Sequence, residues 1–290
     1  MPELPEVETI RQDLKQKILN KTISQIIVKK NKIIRNPIAF FQKNLLKNQF
    51  INIDRRGKLL IFLLKKPEIY LLIHLKMTGQ LIYKIKNTII AGGHPVPHQT
   101  ESLPNKHTHV IISFNDKSKL FFNDLRQFGY LQLATKQQLK TILNKYGIEP
   151  LTKNFTFSSF KQIFTNKKTN LKNILLNQQI IAGIGNIYAD EICFDAKIDP
   201  RTLAKNLPDS QIKNLFLSTQ KIIKLAIKHR GTTTNNYRDG AGKKGNFSQF
   251  LKVYGRTNQK CLGCHKTKIK KIKLAGRGTH YCQFCQKLFS

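Results

Sequence analysis

The chain has 290 residues and carries 51 Lys and Arg against 16 Asp and Glu, a formal net charge of +35. Its 40% hydrophobic residues suffice for one large core or two smaller ones, which excludes wholesale disorder. No apolar run approaches the roughly 18 residues that cross a bilayer, so a field of this sign points to polyanionic partners, nucleic acid first. An anionic membrane surface, or an AT-rich coding bias behind the many lysines, would account for the same charge. The acidic opening Met1-Pro2-Glu3-Leu4-Pro5-Glu6-Val7-Glu8 lacks the basic and apolar regions of a signal peptide, so a soluble cytoplasmic protein is expected.

Val7, Ile10, Leu14 and Ile18 recur at helical spacing, and Pro5 suits a first turn, so an amphipathic helix is expected to begin there. From residue 23 to 134 the texture changes to short β-rich runs, at 23–28, 50–53, 59–64, 69–75, 81–85, 110–114, 120–122 and 130–133. Breakers such as Arg56-Gly57 and Asn115-Asp116 separate several of them, the pattern of an antiparallel sandwich or barrel. Residues 86–106 show little periodicity and read as a long exposed loop. After Gly147-Ile148-Glu149-Pro150 the pattern turns helical, with helices expected at 157–165, 169–177, 186–195 and 209–228. A polar, glycine-containing loop at 231–246 leads into a cysteine-rich tail. The fold class is therefore α+β. Residues 1–134 read as the β-sandwich domain with its N-terminal helix, 135–150 as a linker, 151–246 as a helical region and 247–290 as the tail.

In the tail, Cys261-x2-Cys264 and Cys282-x2-Cys285 are separated by 17 residues. Each pair bites one metal from a tight turn, and together they supply four thiolates for a tetrahedral Zn2+. A tail this short has no core of its own, so metal would supply its folding energy. His265 and His280 lie beside ligand positions but are read as non-ligands, and Cys193 as a core residue. Between the pairs, Gly276-Arg277-Gly278 suggests a turn that presents Arg277 outward to a groove or phosphate. Upstream, Gly183-Ile184-Gly185-Asn186 precedes a helix, where backbone N–H groups and the dipole would hold an anion. With the helix before it, this reads as a helix–turn–helix variant held against a backbone phosphate.

The segments Pro2–Thr9, Gly183–Glu191 and Gly276–Cys285 together resemble bacterial formamidopyrimidine-DNA glycosylase, and the resemblance runs the length of the chain in order. It implies a bifunctional glycosylase and abasic-site lyase that excises oxidised purines from damaged duplex DNA, with a helix-two-turn-helix region and one structural Zn2+ on Cys261, Cys264, Cys282 and Cys285. It implies that Pro2, exposed by removal of Met1, is the Schiff-base nucleophile, and that Glu3 is the acid and base beside it. It makes Lys58 the proton donor for β-elimination and Arg277 the donor for δ-elimination as well as a phosphate contact. Met77, Arg126 and Phe128 match the residues that fill the void left by the extruded nucleotide, Arg126 favouring cytosine opposite the lesion. His74, His109 and Asn186 match phosphate contacts. The loop 232–246, with Tyr237, matches the segment that closes over the base. A monomer, nucleoid-associated in a bacterial cytoplasm, is expected. The long 86–106 loop and Thr78, at a position that varies in the family, depart from its usual pattern. Two other readings are an endonuclease VIII-like enzyme for oxidised pyrimidines, disfavoured by Leu4 where that branch has glycine, and a non-catalytic zinc-hairpin binder of damaged DNA, disfavoured by the intact Pro2-Glu3 pair.

Overall fold

A computed structural model describes residues 1–66, 68–93, 102–165, 167–232 and 246–289. These fall into two compact units, one of residues 1–144 and 229–246, the other of residues 145–228 and 247–290.

The first unit opens with helix α1 (Leu4–Ile18), whose Val7, Ile10, Leu14 and Ile18 are all buried, as their spacing predicts. Strands β1 (Ile23–Val28), β2 (Phe50–Arg56), β3 (Leu59–Leu64), β4 (Ile69–His74), β5 (Gly79–Ile85), β6 (Thr88–Gly93), β7 (Thr108–Phe114), β8 (Lys119–Asp124) and β9 (Tyr130–Thr135) follow. They form a five-stranded sheet in the order β1-β7-β8-β5-β6 and a four-stranded sheet in the order β2-β3-β4-β9, with every pairing between strands antiparallel. One hydrophobic cluster joins both sheets and α1, including Ile10, Phe50, Phe62, Leu71, Phe114 and Phe122. This is the expected sandwich, with its helix packed on β2, β3 and β6.

Three elements depart from the sequence reading. Helix α2 (Ile38–Leu45) lies where no element is expected; it is a short helix that buries only Phe41 and Leu45. Helix α3 (Lys136–Leu143) occupies the stretch read as linker, started by a capping box in which Thr135 and Gln138 exchange hydrogen bonds. Strand β6 occupies the front of the stretch read as an exposed loop. It pairs with β5 along its length, and a Cβ on Gly92 would stand 2.3 Å from Ile10 Cγ1, so the bare glycine is what lets the strand run this close to α1. Residues 94–101 of that stretch, and 233–245 of the 232–246 loop with Tyr237, lie outside the described residues.

The second unit holds α4 (Phe157–Gln162), α5 (Leu171–Leu176), α6 (Asn186–Asp195) and α7 (Asp209–Lys228), then β10 (Lys270–Leu274) and β11 (Arg277–Tyr281). Helices α6 and α7 have the expected bounds, while α4 and α5 are shorter than the spacing suggests. Phe155, Phe160, Phe164 and Phe216 pack ring against ring, Phe155 stacked on Phe216 and the other pairs tilted or edge-on. The double turn from α5 to α6 is built around Gln178, whose amide donates to the Leu176 and Ile184 carbonyls and accepts the Gly183 N–H. No helix among the described residues is long and apolar enough to cross a membrane.

Candidate functional site

Pro2 and Glu3 are buried at the head of α1. Glu3 is the N-cap, and the Glu6 carboxylate reaches back one turn to accept its N–H at 2.8 Å. The other oxygen of Glu6 accepts from the Thr232 N–H at 2.8 Å and hydroxyl at 3.1 Å. One carboxylate thus braces the N-terminal dipeptide and the start of the 232–246 loop. Glu8, two residues further, receives Arg11 and Arg55 and so pins α1 to β2. Burial alone would raise its pKa, but the two guanidinium hydrogen bonds hold it below the usual carboxylate range. Lys58 lies in the two-residue turn between β2 and β3 and is only 4% exposed.

The next group surrounds the ends of β4, β5, β8 and β9. His74 accepts the Lys76 N–H at Nδ1 (3.0 Å), which places the proton of the neutral ring on Nε2, a donor suited to a phosphate oxygen. Burial, reinforced by the charges of Lys76, Lys58 and Arg35, pushes its pKa down to about 3. Its ring packs 5.8 Å from that of Tyr130, which carries the Arg35 guanidinium on its face at 3.3 Å. Met77 is half-buried in the turn after β4. Phe128 is 54% exposed, and Arg126 rests over its ring at 4.7 Å. An aromatic side chain presented this openly belongs to no core. His109 is placed differently from the others: it is 4% exposed and its Nε2 meets the Asp124 carbonyl at 2.7 Å. One ring nitrogen is thus already engaged by the backbone, and only Nδ1 is left for another partner.

Sequence reasoning missed Asp124 here. Fully buried at the end of β8, it accepts from Thr78, Arg126 and Gly129, and so ties the Met77 turn to the loop bearing Arg126 and Phe128. An aspartate before a loop reads as a turn former, and nothing in its spacing announces three donors.

In the second unit, Asn186 is the first residue of α6 and its Nδ2 donates to the Gly278 carbonyl at 2.9 Å. The helix start and the hairpin are thereby one body. Leu274 pairs with Arg277 across the Ala275-Gly276 turn, so Arg277 begins β11 beside the tip and is exposed. An open cleft of about 490 Å3 borders Arg277, Ala275, Asn173 and Asn177. In the same unit, Lys172 and Asp190, both 0% exposed, are paired, and Asp190 also receives the His280 backbone N–H at 2.9 Å and Nδ1 at 3.0 Å. Sequence reasoning missed this network too. Glu191 accepts the N–H groups of Lys252, Val253 and Tyr254, anchoring the approach to the tail.

The four tail sulfurs lie within 4.8 Å of one another. Cys261 to Cys285 and Cys264 to Cys282 are each 3.8 Å apart. That is far beyond a disulfide bond of about 2.05 Å, and it equals the edge of a tetrahedron with Zn–S of about 2.3 Å. The Gly263 and Cys285 amides point at the Cys261 and Cys282 sulfurs, as outer-sphere donors to thiolate do. His280 is occupied by Asp190 and His265 is exposed outside the cluster, in keeping with their reading as non-ligands. Cys193 is wholly buried, which pushes its thiol pKa far up and leaves it inert.

A family model described as the formamidopyrimidine-DNA glycosylase N-terminal domain matches residues 1–131, and one described as the formamidopyrimidine-DNA glycosylase H2TH domain matches residues 146–238. The formamidopyrimidine-DNA glycosylase of Listeria monocytogenes is 39% identical over 290 residues, covering 99% of this chain and 100% of the relative. That of Carboxydothermus hydrogenoformans is 40% identical over 288 residues, with 99% and 100% covered. Among solved structures, the complex of Lactococcus lactis Fpg with abasic-site DNA is similar with a TM-score of 0.87 at 33% identity, covering 98% of this chain and 99% of that one. A variant of the same Lactococcus lactis protein, in complex with DNA containing Fapy-dG, matches at a TM-score of 0.87 and 33% identity over 99% of this chain and 100% of that one.

Proposed function

The chain belongs to the formamidopyrimidine-DNA glycosylase family, and from that premise we propose that Pro2, freed by removal of Met1, is the nucleophile with which it excises oxidised purines. It is a DNA glycosylase of base excision repair, acting on damaged double-stranded DNA. The observation that supports the nucleophile is the Pro2-Glu3 pair, buried at a helix head that Glu6 holds fixed.

The chemistry follows from the amine. An N-terminal amine has a pKa near ~8, so a useful fraction is neutral at cellular pH, unlike lysine near ~10.4. Pro2 nitrogen bonds to C1′ of the damaged nucleotide as the base departs. Because proline is a secondary amine, the resulting iminium is cationic without a further proton. It draws electrons from C2′, whose proton is lost as the 3′ C–O bond breaks; repetition at the 5′ side completes the β,δ-elimination. Glu3 serves the sugar ring oxygen and relays protons, Lys58 supplies the proton for the first elimination and Arg277 for the second. His74, His109, Asn186 and Arg277 hold phosphates. Met77, Arg126 and Phe128 fill and wedge the gap left by the flipped nucleotide, Arg126 pairing with the orphaned cytosine. Cys261, Cys264, Cys282 and Cys285 hold one Zn2+, whose bonds keep the hairpin folded; the sulfur spacing fits that ion.

Borohydride trapping on an 8-oxoguanine duplex tests the reading. The reduced protein–DNA adduct is expected, with mass spectrometry placing it on Pro2 of a chain lacking Met1. Pro2→Gly and Glu3→Gln should each lower excision by at least a hundredfold while lesion binding persists. Full turnover in either variant, or no adduct from wild type, would defeat the assignment.

A further inference from the structure

Asp124 ends β8 between two loops, and its carboxylate is divided between them. Oδ1 accepts the Thr78 hydroxyl at 2.5 Å and the Arg126 N–H at 3.2 Å, while Oδ2 accepts the Gly129 N–H at 2.7 Å. Thr78 Oγ1 in turn accepts the Arg126 N–H at 2.9 Å. Thr78 adjoins Met77, and the Arg126 and Gly129 amides bracket Phe128. Oδ2 alone would suffice to close the second loop; Oδ1 and Thr78 join that loop to the other one. We propose that Asp124, acting through Thr78, is a positioning residue that locks the Met77 turn to the Arg126–Phe128 loop, so that the three side chains enter the duplex as one body.

The physical argument is one of shared constraint. Filling a gap opened in a base stack requires a plug, a wedge and a hydrogen-bonding arm at fixed mutual positions, and side chains on independent loops would each lose freedom on entry. A buried carboxylate with charge-assisted bonds to both loops removes that freedom before DNA arrives. Thr78 is the test of the idea: valine there would keep the shape but lose both the donor to Asp124 and the acceptor for Arg126, leaving Oδ1 with only its longer bond. The proposal rests on the reading of Met77, Arg126 and Phe128 as void fillers.

Single-turnover excision of 8-oxoguanine opposite cytosine and opposite adenine, with Thr78→Val, Thr78→Ser and Arg126→Ala, tests both levels separately. Thr78 is used because Asp124→Asn would set a buried amide against three donors and disturb the strand end itself. Thr78→Val is expected to slow excision opposite cytosine about tenfold and to narrow the preference for cytosine over adenine, with the melting temperature nearly unchanged. Thr78→Ser should restore both. In an Arg126→Ala background the same Thr78→Val change should cost much less than tenfold, since one of the side chains it orients is gone. Unchanged rate and preference in Thr78→Val, failure of serine to rescue, or losses that simply multiply would overturn the positioning role. If Arg126→Ala alone changed neither rate nor preference, the void-filling reading would fall, and the proposal with it.

Discussion

At the scale of single residues, burial decides what each polar group can do. His74 illustrates the point, because its ring is kept neutral and its tautomer is set by a backbone amide. Its pKa of about 3 lies below the ordinary value of 6.5, so the folded state binds fewer protons than the unfolded one. Its contribution to stability is therefore complete above pH ~6.5 and is lost as pH falls from there toward ~3. Unfolding by urea between pH 7 and pH 4 should show this slope, and His74→Gln should flatten it; an identical slope in the variant would contradict the assignment. His74→Gln should also weaken DNA binding similarly for lesion and undamaged duplexes, as a backbone contact does. His74 was singled out in the sequence only by its match to a family motif. Asp124 and Asp190 were not, since the ties that matter, to Thr78 across 46 positions and to His280 across 90, are encoded by no local spacing.

At the scale of elements, the β-runs and the long helices announced themselves by period and breakers, because one face of each is committed to a core. Helix α2 did not. Its eight residues bury two side chains and leave Phe40 exposed, so no stripe emerges from the pattern. Helix α3 did carry a signal, the Thr135 and Gln138 capping pair, which was overlooked inside a stretch read as linker. The loop after β8 depends on close approach. A Cβ on Gly129 would lie 2.7 Å from Phe122 Cζ and 3.0 Å from both Asp124 Oδ2 and the His74 carbonyl. Gly129→Ala should cost about 1–3 kcal/mol, read as a lower urea midpoint, and excision should drop with it as Arg126 and Phe128 shift. A neutral outcome would mean that the loop gives way without consequence.

At the scale of the whole molecule, net charge and the proposed zinc are what DNA affinity is expected to depend on. A chain of net charge +35 that neutralises phosphates releases counterions, and log affinity falls with log salt at about 0.9 per phosphate contacted. Arg277→Ala should reduce that slope by about one; an unchanged slope would place Arg277 off the backbone. Among the described residues of the tail, the buried apolar side chains are few: Phe247, Val253, Ile269, Tyr281 and two of the cysteines. Stripping metal with a strong chelator should release one zinc per chain, unfold the hairpin and abolish tight DNA binding, with recovery on zinc addition. Retained binding by the stripped protein would show that the hairpin stands without its ion.

The double grip of Glu6 carries a lesson for redesign. Its two oxygens serve the Glu3 amide and Thr232, so a graft meant to broaden the range of accepted lesions should join the scaffold after Thr232. A splice before it would loosen the seat of the proposed nucleophile along with the exchanged segment, and a dead chimera would say nothing about base selection.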